Sequence, residues 1–168
     1  SLGGTSPPPL PARIITLAAY NNEDNGCFTG ECLVAMKDGS NKMIKYIVKG
    51  DIFSSLKNPY DVNSLILGSS VVCVLQTNIT SGKTLIVSFD GGLKVTPWHP
   101  IIVNGDWNHP ATINETKTEA CEAVYTLVLN SNHTFMVNNY WCISLGHGYQ
   151  VGILQHEYYG TQAGINDF

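Results

Sequence analysis

Along this chain apolar and polar residues alternate over short stretches, and each stretch gives way to turn-forming residues. Alternation of period two predicts β-strands, because successive side chains in a strand point to opposite faces. The pattern predicts strands over 31–36, 42–47, 70–77, 83–89, 93–95, 101–103, 123–129, 134–137 and 140–145. Turn signals punctuate them: Lys37-Asp38-Gly39-Ser40, Gly50-Asp51, Ser81-Gly82, Asp90-Gly91-Gly92, Asn104-Gly105 and Asn130-Ser131-Asn132. Asn-Gly is the strongest of these, since a type I′ turn needs positive φ at both central residues. Ser81-Gly82 is expected to join strands 70–77 and 83–89, and Asn130-Ser131-Asn132 to turn a hairpin between 123–129 and 134–137. Nothing keeps a helical period beyond two turns; the best short candidates lie near 110–118. Many short strands at this spacing imply an all-β sandwich or barrel-like fold.

Residues 1–26 follow a different pattern. Pro7, Pro8, Pro9 and Pro11 favour an extended, polyproline-like start. A short apolar run over 14–20 could pair as a strand, and 21–26 is a turn-rich loop. The expected organisation is therefore a flanking segment, 1–26, and one domain, 27–168, a length that buries enough apolar surface to fold alone.

Composition narrows the function classes. The net charge is −4 and no Lys/Arg cluster occurs, which argues against nucleic acid or an anionic membrane as partner. The longest apolar stretch, near 65–75, falls short of the ~20 residues that span a bilayer. Nothing at the start reads as a leader peptide, so an intracellular, cytoplasmic location is expected; the chain is also expected to be a monomer. The five cysteines are an odd number, so at least one is unpaired within a monomer, and none has CxxC spacing. No metal or cofactor is expected. Four of the cysteines read as reduced, buried small hydrophobes.

The fifth, Cys27, follows Gly26 in a turn. Glycine leaves its carbonyl open to attack and tolerates distortion. Thiolate is the strongest side-chain nucleophile near neutral pH. Attack by Cys27 on the Gly26 carbonyl would turn the peptide bond into a thioester. The protein would have to strain the bond, polarise the carbonyl and protonate the leaving amide nitrogen. Among five histidines, His99 is the best proton donor: Pro97 and Pro100 stiffen the turn around it, and Thr96 precedes it by three residues. His133 and His147 are accessory candidates; His109 and His156 read as surface or loop residues.

The run from Cys27 to Ser40, with Cys-Phe at its start and Asp-Gly-Ser at its end, resembles the opening block of Hedgehog/intein (Hint) domains. Residues 44–51, closing on Gly50-Asp51, resemble its continuation. Thr96-Pro97-Trp98-His99 is similar to the Thr-x-x-His block of the same domains, and Asn132 to Asn138 to their His-x-Phe strand. The segments Gly91 to Pro100, Asn104 to Trp107, Leu145 to Gly148 and His156 to Thr161 resemble more narrowly the Vint subfamily. Those domains occur beside von Willebrand A domains in eukaryotic, often ciliate, proteins. The resemblance implies a horseshoe-like all-β fold of curved antiparallel strands. It also implies self-processing in cis, with Cys27 as nucleophile, Gly26 as acyl residue, and Thr96 and His99 against the scissile amide.

The sequence departs from splicing relatives in having no His-Asn pair, so N-terminal cleavage without splicing is expected. Hedgehog proteins activate cholesterol with an aspartate on an intervening strand. The comparable stretch here, 71–76, has none, and Gln76 or Cys73 stands near its place. The partners implied are the chain's own flank and an external nucleophile: water, a thiol or an amine. The alternatives are a degenerate Hint domain kept as a structural or interaction module, a splicing-capable intein-like domain, and a cysteine hydrolase acting in trans.

Overall fold

The computed structural model describes residues 27–144. Thirteen strands lie within them: β1 (Phe28–Thr29), β2 (Leu33–Ala35), β3 (Asn41–Met43), β4 (Ile52–Leu56), β5 (Ile66–Asn78), β6 (Lys83–Ser88), β7 (Lys94–Val95), β8 (Ile101–Val103), β9 (Asp106–Asn108), β10 (Thr116–Ala120), β11 (Ala123–Leu129), β12 (Thr134–Val137) and β13 (Tyr140–Ile143). They form two antiparallel sheets, ordered β10-β6-β7-β1-β11-β5-β4 and β3-β2-β12-β13-β8-β9. Thirteen-residue β5 pairs with β4 through its first half and with β11 through its second. A register shift between Val128 and Leu129 bends that ladder, as an extra residue on one strand does.

Phe28, Phe53 and Phe135 are fully buried and meet in the main apolar core, with ring centroids 5.8 Å apart for Phe28–Phe135 and 6.1 Å for Phe53–Phe135. Burying a side chain of this size contributes roughly 1.5–3 kcal/mol. Phe28 stands on β1, so the core fixes the strand that Cys27 opens.

Local chemistry explains the turns. Asn104 (φ 53°) and Gly105 (φ 85°) both take positive φ and close the β8–β9 hairpin, with Val103 opposite Asp106. Gly91 (φ 85°) and Gly92 (φ 89°) turn β6 into β7, closed by Phe89 N–H donating to the Leu93 carbonyl. Asn138 (φ 47°) ties this turn down: its Nδ2 donates to the Gly91 carbonyl and its Oδ1 accepts from Leu33 N–H, both at 2.8 Å.

Several local expectations give way to tertiary pairing. Region 110–118 is not helical beyond a single 3-10 turn at Pro110–Thr112; Thr116–Ala120 is edge strand β10, paired with β6. Strands β5 and β6 do not pair with each other, and β11 and β12 lie in different sheets, so the chain crosses between sheets at 130–133. Residues 42–47 contribute only the end of β3 before a 3-10 turn at Ile44–Tyr46. The apolar run at 14–20 lies outside the described residues.

Candidate active site

Cys27 immediately precedes β1, and Thr96 immediately follows β7. Antiparallel pairing sets Phe28 opposite Val95, so Cys27 and Thr96 fall side by side. Cys27 N–H donates to Thr96 Oγ1 at 2.7 Å, and Thr96 N–H donates back to the Cys27 carbonyl at 2.9 Å. Thr96 is completely buried. The nitrogen held by its hydroxyl is the one that would depart if the Gly26–Cys27 bond broke. Gly26 itself lies outside the described residues.

His99 completes the turn, its N–H reaching the Thr96 carbonyl at 3.5 Å. Its ring is fully buried, 4.5 Å from Phe28 between centroids. Nε2 stands 2.8 Å from the Ile143 carbonyl. A carbonyl only accepts, so Nε2 carries a proton there. Trp98 backs the turn and meets His109 edge-on at 5.3 Å. His109 is thus a loop residue, as expected, but one buried in packing and not on the surface. Ala111 N–H donates to the Pro97 carbonyl at 3.1 Å, so the 3-10 turn that follows His109 also braces the Thr96–His99 segment.

Cys27 is only 1% exposed and belongs to a small cluster with Ile79 and Val124, against which Cys121 packs. Burial, followed by the nearby Cys121, pushes its thiol from an ordinary 9.0 up to about 12. At neutral pH the resting sulfur is therefore a thiol, not a thiolate.

The accessory candidates are placed as follows. His133 (φ 50°) occupies the turn entering β12, where its carbonyl accepts from Ser144 N–H at 2.7 Å, and burial lowers its pKa. Gln76 pairs with Tyr125, which pairs with Phe28, so Gln76 stands level with the residue after Cys27. Cys73 pairs with Val128, three positions further along β5. His147 lies outside the described residues. All five cysteines are unbridged, and among the described residues no group of three or more His, Cys, Asp or Glu side chains could hold a metal. Among the same residues no helix is long and apolar enough to cross a membrane.

Two neighbours carried no motif in the sequence. Continuing the β1–β11 register by one residue sets Thr126 level with Cys27; Thr126 is buried and its hydroxyl has no hydrogen-bond partner among the described residues. Cys121 lies beside the same cluster and lines a cavity of about 480 Å³. Both depend on which strands neighbour β1, which spacing along the chain does not encode.

A sequence profile of the Vint family, described as a Hint-domain, matches residues 26–167. The chain belongs to the Vint family of Hint domains. None of the curated proteins matches this Vint chain in sequence. Its fold is shared with the DnaB intein of Synechocystis, at 16% identity and a TM-score of 0.55, covering 71% of this chain and 98% of that one. It is shared also with a bacterial intein-like domain from Clostridium thermocellum, at 17% identity and a TM-score of 0.57, covering 70% and 98%. The curled antiparallel sheets of the Vint domain are thus those of the Hint fold, a fold of self-processing domains.

Proposed function

We propose that this Vint domain cleaves its own chain at Gly26–Cys27, with 1–26 as the flank released and 27–168 as the processing unit. Cys27 Sγ adds to the Gly26 carbonyl. The tetrahedral adduct collapses as the C–N bond breaks, and the Cys27 nitrogen leaves as an amine after taking a proton that balances the one the thiol gives up. The product is a thioester between Gly26 and Cys27 Sγ. Water or an external thiol or amine then attacks that thioester and frees the flank. Cleavage ends there, without splicing, since the sequence holds no His-Asn pair.

The observation that carries this proposal is the 2.7 Å hydrogen bond from Cys27 N–H to Thr96 Oγ1. It puts a hydroxyl in a buried site on the atom that must become a leaving group, where polar contacts are strong. His99 is the proton donor in this reading, and its contact with the Ile143 carbonyl fixes the ring's direction. The domain acts as a monomer on its own flank.

One observation favours a second reading, an inert module: the thiol is nearly inaccessible and its pKa is pushed up to about 12. Intact mass over time separates the two. The purified chain is incubated with and without hydroxylamine or a thiol. A fragment beginning at Cys27, absent in Cys27→Ala and reduced in His99→Ala, supports cleavage. An unchanged mass over days in strong nucleophile supports the inert module.

A further inference from the structure

A thioester on Cys27 would form in a place that outside nucleophiles reach poorly. Cys27 is 1% exposed and is absent from the walls of the neighbouring cavity of about 480 Å³. Cys121 spans the gap. It packs on one side against the cluster of Cys27, Ile79 and Val124, and on the other it lines the cavity. Its thiol is half-buried and points to the Ala123 carbonyl at 3.1 Å. Gln76, Asn78, Glu119, Glu122 and Lys94 are among the other lining residues, so the walls are mainly polar.

We propose that Cys121 takes the acyl group from Cys27 and presents it in this cavity to a small polar amine, a step that rests on the cleavage proposed at Gly26–Cys27. The Cys121 sulfur adds to the thioester carbonyl, the bond from that carbonyl to Cys27 Sγ breaks, and the proton leaving Cys121 ends on Cys27. One thioester and one thiol are consumed and one of each is produced, so no oxidant or reductant is needed. No net charge moves, so the burial that disfavours a Cys27 thiolate does not oppose the overall exchange. A neutral amine then attacks the Cys121 thioester, giving an amide on Gly26 and the free Cys121 thiol. Lys45 and Lys94 also line the cavity and pair with Glu31 and Glu119, while Glu122 and the carboxamides of Gln76 and Asn78 offer acceptors to the N–H groups of a small polar amine. Such a wall offers little to a sterol.

The test traps the acyl group where it sits. Full-length chain is quenched in mildly acidic denaturant, where thioesters persist. Free thiols are then blocked with N-ethylmaleimide, and the five cysteines are mapped by mass spectrometry. The expected result is an uncleaved fraction in which Cys121 escapes the label and Cys27 carries it. If Cys27 alone escapes, the relay is overturned while the cleavage stands. If every cysteine is labelled and no fragment appears, the cleavage fails and the relay with it. Cys121→Ala adds a second readout: it should still form the Cys27 thioester but release the flank to hydroxylamine about tenfold more slowly. Release at the wild-type rate from folded Cys121→Ala counts against the relay; if this variant does not fold, the wild-type map decides alone.

Discussion

Cys27 and Thr96 hold each other by two hydrogen bonds of opposite direction, 2.7 Å from Cys27 N–H to Thr96 Oγ1 and 2.9 Å from Thr96 N–H to the Cys27 carbonyl. The second is a backbone bond that any residue but proline at 96 would keep. The first depends on the side chain. Thr96→Val leaves a buried N–H without its acceptor, at a cost of about 1–3 kcal/mol in unfolding free energy. It should also slow appearance of the Cys27-initiated fragment at least tenfold in hydroxylamine. Thr96→Ser keeps the oxygen and should restore most of both. Equal cleavage in the valine and wild-type chains would remove Thr96 from the chemistry.

Burial of Cys27 sets a pH dependence. Its folded pKa is about 12 against an ordinary 9.0, so the folded chain binds this proton more tightly than the unfolded chain. Stability from this group is therefore complete below pH 9 and is lost as pH climbs through the window towards 12. In chemical denaturation, Cys27→Ala should gain on wild type across that window and show no such gain at neutral pH. The cleavage rate should follow the thiolate and rise about tenfold per pH unit through the range where an ordinary cysteine levels off. A plateau near pH 9 would mean that the reacting thiol is not held as described.

Asn138 offers a prediction about support at a distance. Its side chain binds the Gly91 carbonyl and Leu33 N–H, and so pins the β6–β7 turn that leads to Thr96. Both bonds are solvent-exposed, and their joint loss in Asn138→Ala should cost roughly 1–2 kcal/mol by denaturant unfolding. Asn138→Gly relieves the positive φ while losing the same bonds, so it should be the less damaging of the two. Amide exchange at Lys94 and Val95 should rise in both.

Thr126 lies level with Cys27, with a buried hydroxyl that meets no hydrogen-bond partner among the described residues. Removing an unsatisfied polar atom without changing shape is neutral or favourable. Thr126→Val should therefore raise stability, by up to about 1 kcal/mol. Lower stability in this variant would show that the hydroxyl is paired in the native chain. Cleavage measured on the same protein tells whether the hydroxyl also serves the reaction, in which case stability and rate move in opposite directions.

The parts legible in the sequence were those encoded within a few residues. Asn104-Gly105 announced its turn because its dihedral demand is local, and Ile101–Val103 and Thr134–Val137 announced themselves by composition. β10 did not: Thr116-Lys117-Thr118-Glu119-Ala120 has no buried face to alternate, as an edge strand need not. The supposed hairpin at 130–133 failed for a related reason, since sheet membership is settled by distant partners. At the site, Thr96 and His99 stood out because prolines frame their turn. Cys121 looked like any buried cysteine, because its nearness to Cys27 arises from the packing of residues that precede β11 against those that follow β5.

β1 lies inside the seven-stranded sheet, with β7 on one side and β11 on the other. Tension on the residues ahead of Cys27 would run along this strand and load both neighbours together, in shear. Hydrogen bonds sheared together must yield at once, whereas an edge strand can be unzipped one bond at a time. If the proposed cleavage holds, a flank joined at Gly26 would be held through an inner strand, by the same linkage whose scission would let it go. Such a release would leave β1 in place: neither sheet would have to come apart for the flank to depart.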